Sequence, residues 1–184
     1  MNEKHYLSAD EYLRDVWRLA AEVRKSGWKP DLLIALWRGG APVGVAMHEF
    51  FKVVGWKVDH EPVKCASYTG IGKNEGEVVF SCAENVFALI RPGMKILVVD
   101  DVFDTGKTAA AVKAKMDALG AEMRMACVYF KPRKNLTSLT PDYFVKDVGL
   151  DWLVFPHEIE GLTPEEIAVK DPALADLLLT TWHA

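Results

Sequence analysis

Apolar and polar positions along the chain fall into short greasy runs separated by amphipathic stretches. Over residues 7–27, Tyr12, Val16, Leu19, Ala20 and Val23 recur at helical spacing, predicting a helix with one apolar face. Ser8 with Glu11 three residues on makes a capping-box pattern at its start, and Gly27 suits its end. Residues 31–37 (DLLIALW) are nearly all apolar and run into Arg-Gly-Gly, which predicts a short strand buried on both faces. A helix is predicted over 41–52, with Pro42 in its first turn, and a weaker strand over 58–63. Residues 66–76 carry three glycines and little hydrophobic content, so they read as a mobile loop before a strand at 77–82. A buried strand follows at 94–100, then a helix of strong helix formers at 106–120 and a strand at 123–130. Residues 140–161 are irregular, with aromatics, turns and short apolar runs. Residues 162–182 read as one or two helices, opened by a second capping box at Thr163 and Glu166 and broken at Pro172.

Strands alternating with helices predict an α/β fold built on a doubly wound, mainly parallel sheet. Ligands of such sheets sit beyond the C-terminal strand ends, where two loops stand out: WRGG at 37–40 and DDVFDTGKT at 100–108. A length of 184 residues, without repeat, linker or low-complexity segment, predicts a single domain. The net charge of -4 speaks against a dedicated nucleic-acid surface but leaves room for a local basic pocket. Three cysteines without a Cys-x-x-Cys pair speak against a disulfide framework or a zinc site. No apolar leader and no membrane-length run is present, so a reducing cytoplasm is the expected compartment, with no membrane partner.

The chemistry concentrates in ILVVDDVFDTGKT, residues 96–108. Gly106-Lys107-Thr108 matches the end of a nucleoside-triphosphate P-loop, but that motif needs glycine at position 101, where Asp101 would repel the phosphates. The loop nevertheless offers backbone N–H groups at a helix N-terminus, hydroxyls from Thr105 and Thr108, and a close backbone approach at Gly106. That end suits a phosphate monoester. The pair Asp100-Asp101 needs a polyhydroxyl group or a cation. A ribose 5-phosphate satisfies both.

VVDDVFDTGKT resembles the phosphoribosyl-pyrophosphate (PRPP) motif of the type I phosphoribosyltransferases. LLIALWRGGAPVGVAM is similar to that family's pyrophosphate loop, whose basic residue often follows a non-proline cis peptide; here that bond joins Trp37 and Arg38. ASYTGIGKNEGEVVF falls where the family has its flexible catalytic loop, and Ser67-Tyr68 resembles a Ser-Tyr pair of the hypoxanthine-guanine branch. LDWLVFPHE resembles the segment that covers the purine. The likeness spans roughly residues 31–158.

The resemblance implies a core over about 31–130, a small hood over the base site mainly at 131–160, and C-terminal helices over 163–182 in one domain. It implies transfer of the 5-phosphoribosyl group from PRPP to a 6-oxopurine (hypoxanthine, guanine or xanthine) in purine salvage, releasing pyrophosphate. Asp100 and Asp101 would hold the ribose hydroxyls. Asp104, Thr105, Gly106, Lys107 and Thr108 would anchor the 5-phosphate, with Lys107 either adding charge or pointing away. Arg38 and Gly39 would take the pyrophosphate. Asp104 would also accept or relay a proton from the imidazole part of the base. Lys131 would contact the exocyclic O6, Trp152 would stack on the ring, and the Leu153 backbone would read its position-2 edge. Mg2+ is the implied cofactor, near Asp100, Asp101 and Glu158 and partly held by substrate or water. A homodimer or higher homo-oligomer is the family habit. The bulky Trp37 and the charged Lys107 depart from the usual pattern. Two alternatives stay open on the same loop: a PRPP-binding regulatory protein, and a transferase for another base such as adenine.

Overall fold

The computed structural model describes residues 4–67, 78–81 and 83–182. Two compact units are present: one of Leu13–Leu150, the other of the residues up to Tyr12 and from Asp151 on.

The larger unit is built on a six-stranded sheet. Its strands are β2 (Leu32–Trp37), β3 (Asp59–Ser67), β4 (Val78–Ser81), β5 (Lys95–Phe103), β6 (Glu122–Phe130) and β7 (Tyr143–Asp147), in the order β4-β3-β2-β5-β6-β7. All pairings are parallel except β3 with β4, where Ser67 faces Val78. The expected strand at 58–63 therefore continues to Ser67, and the rest of the expected 66–76 loop lies outside the described residues. A short β1 (Lys4–Tyr6) precedes α1 (Ala9–Lys25), which runs from one unit into the other. α2 (Gly40–Val53) links β2 to β3, a one-turn α3 (Glu84–Phe87) precedes β5, and α4 (Lys107–Ala118) links β5 to β6.

The apolar runs become central strands because both faces are covered. Leu32, Ile34, Ile96 and Val98 pack in one cluster with Val112 and Met116 of α4. On α2, Gly44 stands against Ala35, Leu33 and Val99, so the alternate strand positions meet this helix. In α1 the predicted face is buried at Tyr12, Val16, Leu19, Ala20 and Val23, and Ser8 Oγ accepts the Glu11 N–H at 3.2 Å.

One buried group had no counterpart in the sequence pattern. Asp15 is fully buried, accepting from Arg18 Nη1 at 2.8 Å and Tyr129 Oη at 3.0 Å, with Lys146 Nζ at 2.8 Å. It joins α1 to β6 and β7.

In the terminal unit β1 pairs in parallel with β8 (Trp152–Val154), and α5 (Pro164–Lys170) is followed by α6 (Pro172–Trp182). The Thr163–Glu166 capping box is present in both directions. Lys4 Nζ reaches Glu166 Oε1 at 2.6 Å. Tyr12 meets Phe155 edge-on at 5.5 Å between ring centroids. β1, β7 and β8, the last two in the stretch read as irregular, are short strands that periodicity over three to five residues does not reveal. No helix among the described residues is long and apolar enough to cross a membrane.

Replacing Asp15 by Ala removes a charge-assisted acceptor from three donors on three elements. We expect a loss of about 2 kcal/mol in stability, read as a lower urea midpoint at unchanged m-value. A midpoint equal to that of the unaltered protein would assign the three donors other adequate partners.

Candidate functional site

The sheet reverses its winding between β2 and β5. From β2 the chain crosses through α2 to β3 on one side, and from β5 through α4 to β6 on the other. A crevice opens at the C-terminal ends of strands where the order switches in this way. Arg38-Gly39 follows β2 there, and Asp104-Thr105-Gly106 follows β5.

The Trp37–Arg38 peptide is cis, as the resemblance implied. Two glycines then let α2 start hard against β5. A Cβ on Gly39 would fall inside the Asp101 carboxylate, and one on Gly40 would collide with the Val99 carbonyl oxygen. Trp37 and Arg38 are exposed.

β5 runs on to Phe103, three residues past the strand end expected at Asp100. Asp100 and Asp101 are thus strand residues, held through pairing with β6, where Asp100 faces Cys127. Asp100 Oδ1 accepts the Asp101 N–H at 3.0 Å, and Asp101 Oδ1 accepts the Val102 N–H at 2.7 Å. Burial, reinforced by the neighbouring Asp101 carboxylate, raises the Asp100 carboxyl well above its ordinary value. Burial and the Asp100 charge in turn push the Cys65 thiol up to about 11, and the Cys127 thiol rises for the same reasons.

Asp104 begins the loop. Its Oδ2 lies 3.5 Å from both Lys131 Nζ and Lys134 Nζ. Its Oδ1 is buried and has no hydrogen-bond partner among the described residues. Lys131 is only 6% exposed although it is a lysine at a strand end, and its backbone N–H donates to the Phe103 carbonyl at 2.9 Å. Burial lowers the proton affinity of its amine, Lys134 adds to that, and the Asp104 carboxylate opposes both.

Gly106 caps α4 with φ of 77°, in the left-handed region that favours glycine. A Cβ there would collide with Thr137 Oγ1 and sit 2.6 Å from Asn135 Oδ1. Asn135 is fixed in turn: its Nδ2 donates to the Leu139 carbonyl at 2.7 Å, and its Oδ1 accepts from Thr137 N and Oγ1, both at 2.9 Å. Leu136 N donates to the Thr105 carbonyl at 2.9 Å. Residues 135–137 therefore brace the loop from behind. A small cavity of about 80 Å³ is lined by Asp100, Asp104, Thr105, Gly106 and Thr108. Lys107 is exposed at the first turn of α4.

The structure thus brings Asp100, Asp101, Asp104–Thr108 and Lys131 together with Arg38-Gly39 at one switch point of the larger unit. Trp152, Leu153 and Glu158 belong to the terminal unit. Trp152 is 58% exposed, with Lys4 Nζ 5.9 Å from its ring centroid. Leu153 is buried and its backbone pairs with His5 in β1. Glu158 Oε2 accepts the Phe155 N–H at 3.3 Å, while Lys170 Nζ holds the Glu158 and Phe155 carbonyls. Ser67 ends β3, and Tyr68 lies outside the described residues. Lys134, Asn135 and Thr137 are site-forming residues that the sequence reading passed over; only the Asn-x-Thr turn signal could have indicated them.

The chain matches the family described as "Phosphoribosyl transferase domain" over residues 4–160. It is 27% identical over 159 residues to the hypoxanthine-guanine phosphoribosyltransferase of Lactococcus lactis subsp. lactis (strain IL1403), covering 82% of this chain and 84% of that protein. Among solved structures, the purine phosphoribosyltransferase from Pyrococcus horikoshii Ot3 superposes with a TM-score of 0.67 at 28% identity, covering 87% of this chain and 97% of that one. A hypothetical protein from Neisseria gonorrhoeae with bound ppGpp gives a TM-score of 0.73 at 21% identity, covering 94% of this chain and 98% of its own.

Folding raises the proton affinity of Asp100, so its contribution to stability is fully present below the ordinary carboxylate value and is lost as pH rises through the folded one. Asp100→Asn keeps the Oδ1 acceptor for Asp101 N and removes the charge. The ligand-free variant should therefore melt higher at pH 7–8, by about 2–4 °C for each kcal/mol relieved, and the gap should close as pH falls toward 4. A variant that melts lower at pH 7.5 would overturn this electrostatic account.

Proposed function

The chain belongs to the phosphoribosyl transferase domain family, and from that premise we propose that this phosphoribosyltransferase transfers the 5-phosphoribosyl group of PRPP to a 6-oxopurine base. The observation that carries the reading is Asp104: one carboxylate oxygen faces two lysines and the other is buried without a partner. An oxygen so placed suits an N–H of the imidazole part of a purine. The nearly buried Lys131 beside it suits a carbonyl acceptor and opposes an amino donor. Hypoxanthine, guanine and xanthine carry that carbonyl, and adenine carries the amino group. The names of the Lactococcus and Pyrococcus proteins support a purine as acceptor.

In this reading the base nitrogen forms its bond to ribose C1 as the C1–pyrophosphate oxygen bond breaks, and the imidazole proton passes to Asp104. Asp100 and Asp101 accept hydrogen bonds from the ribose hydroxyls, which would offset the electrostatic load at Asp100. Thr105 to Thr108 receive the 5-phosphate at the N-terminus of α4, braced by Asn135 and Thr137. Arg38 and the Gly39 backbone receive the pyrophosphate. The oxocarbenium-like carbon must be kept from water as it forms. A homodimer or higher homo-oligomer in the cytoplasm is part of the same proposal.

Asp100 and Asp101 offer hard carboxylate oxygens, and among the described residues no group of three or more His, Cys, Asp or Glu side chains could hold a metal ion. That donor set fits Mg2+ that keeps much of its coordination in substrate and water. When bound, Mg2+ would neutralise charge on the leaving pyrophosphate.

The decisive experiment is a PRPP- and Mg2+-dependent assay over adenine, hypoxanthine, guanine, xanthine and orotate. Turnover of 6-oxopurines is expected. Turnover of adenine alone would remove the roles of Asp104 and Lys131, and PRPP binding with no turnover of any base would favour a regulatory protein. Asp104→Asn should lower kcat by about 100-fold or more while PRPP affinity stays within a few-fold. Equal loss of both would end the proton-acceptor role.

A further inference from the structure

The two lysines on Asp104 present a problem that the proposed chemistry must solve. Lys131 Nζ and Lys134 Nζ are each 3.5 Å from the same oxygen, Oδ2. Lys134 N donates to the Lys131 carbonyl at 3.0 Å, so a single turn after β6 sets the two side chains beside each other. Their surroundings differ. The Lys131 side chain is 7% exposed, whereas those of Lys134 and Asp104 are each 35% exposed.

In the proposed reaction Lys131 must give its ammonium to the O6 carbonyl of the base. It cannot do this fully while it also neutralises Asp104. As the base enters, Oδ2 loses one of its cations just when Oδ1 must face an N–H donor. A carboxylate without a remaining partner would turn or follow Lys131, because a buried acceptor left unsatisfied is expensive.

We propose that Lys134 is a positioning residue for the reaction: it holds Asp104 through Oδ2, so that Lys131 is released to the base and Oδ1 stays aimed at the base N–H. This inference rests on the 6-oxopurine reading and adds to it the residue that keeps the carboxylate in place during the exchange. The like charge of Lys134 at the same oxygen repels the Lys131 ammonium, which eases the departure of Lys131 from Asp104. Lys134 does not touch the reacting atoms in this account. Its effect passes through Asp104.

The test compares Lys134→Met and Lys134→Arg in the full-length protein, with kcat and KM measured separately for the purine and for PRPP. Without Lys134, Lys131 becomes the sole counter-ion of Asp104 and is retained there. For Lys134→Met the KM for the base should rise about tenfold and kcat should fall several-fold, on the scale of one charge-assisted hydrogen bond. The KM for PRPP should stay within twofold, and the melting temperature within about 2 °C, as expected for a partly exposed ion pair. Lys134→Arg should recover most of the base KM. An unchanged base KM in Lys134→Met would overturn the inference. So would a rise in both KM values together, or a large fall in melting temperature with no recovery by Arg, since each marks a merely structural residue. If the unaltered enzyme turns over no 6-oxopurine, the reading beneath fails first. If it does, and Asp104→Asn is inactive while Lys134→Met is normal, only the role of Lys134 is lost.

Discussion

The architecture depends on how closely the start of α2 approaches β5. At Gly39 the space for a side chain is already taken by the Asp101 carboxylate, at Gly40 by the Val99 carbonyl, and at Gly44 by the Ala35 methyl. Three positions without side chains let the helix lie on the strand and hold β2 beside β5 at the reversal of winding. That contact sets the loop after β2 directly against the C-terminal half of β5. Any bulk added there would part the two loops before it changed any chemical group.

Charge is distributed unevenly around this crevice. At Asp15 a buried carboxylate is met by three donors, Arg18, Tyr129 and Lys146. Asp100 is treated differently. It shares its surroundings with Asp101, Cys65 and Cys127, and among the described residues no cation offsets the load described for it. Asp104 is an intermediate case, balanced on one oxygen and unsatisfied on the other. The contrast separates Asp100 and Asp104, whose charge or hydrogen-bonding capacity is left unbalanced among the described residues, from Asp15.

Much of this was legible in the sequence, because the signals were local. Continuous apolar runs gave the central strands, helical spacing gave α1, strong helix formers gave α4, and the capping box at Thr163 is present as read. The 96–108 motif located the loop, and the Trp37–Arg38 cis bond followed from the resemblance. What stayed hidden was long-range. Strand β5 extends three residues beyond its apolar run because pairing with β6 continues past Asp100, which no single-strand pattern reports. The short strands β1, β7 and β8 exist through their partners. The sequence reading gave Lys131 its role, but Lys134 gains meaning only because it meets the same oxygen. The brace on Gly106 requires knowing that residues 135–137 fold back on the loop.

That brace has a consequence for how the site can change over time. Residues 131–137 present two lysines to Asp104 at one end and support the turn at Gly106 at the other. Both duties fall within residues 131–137, and hydrogen bonds at Lys131 N and Leu136 N fix the segment to β5 and its loop. An insertion or deletion here would shift the turn at Gly106 and the lysines at once. The site can therefore drift by exchange of single side chains but not by a change in segment length. In evolution this stretch should behave as a ruler of fixed length, with its markings free to vary.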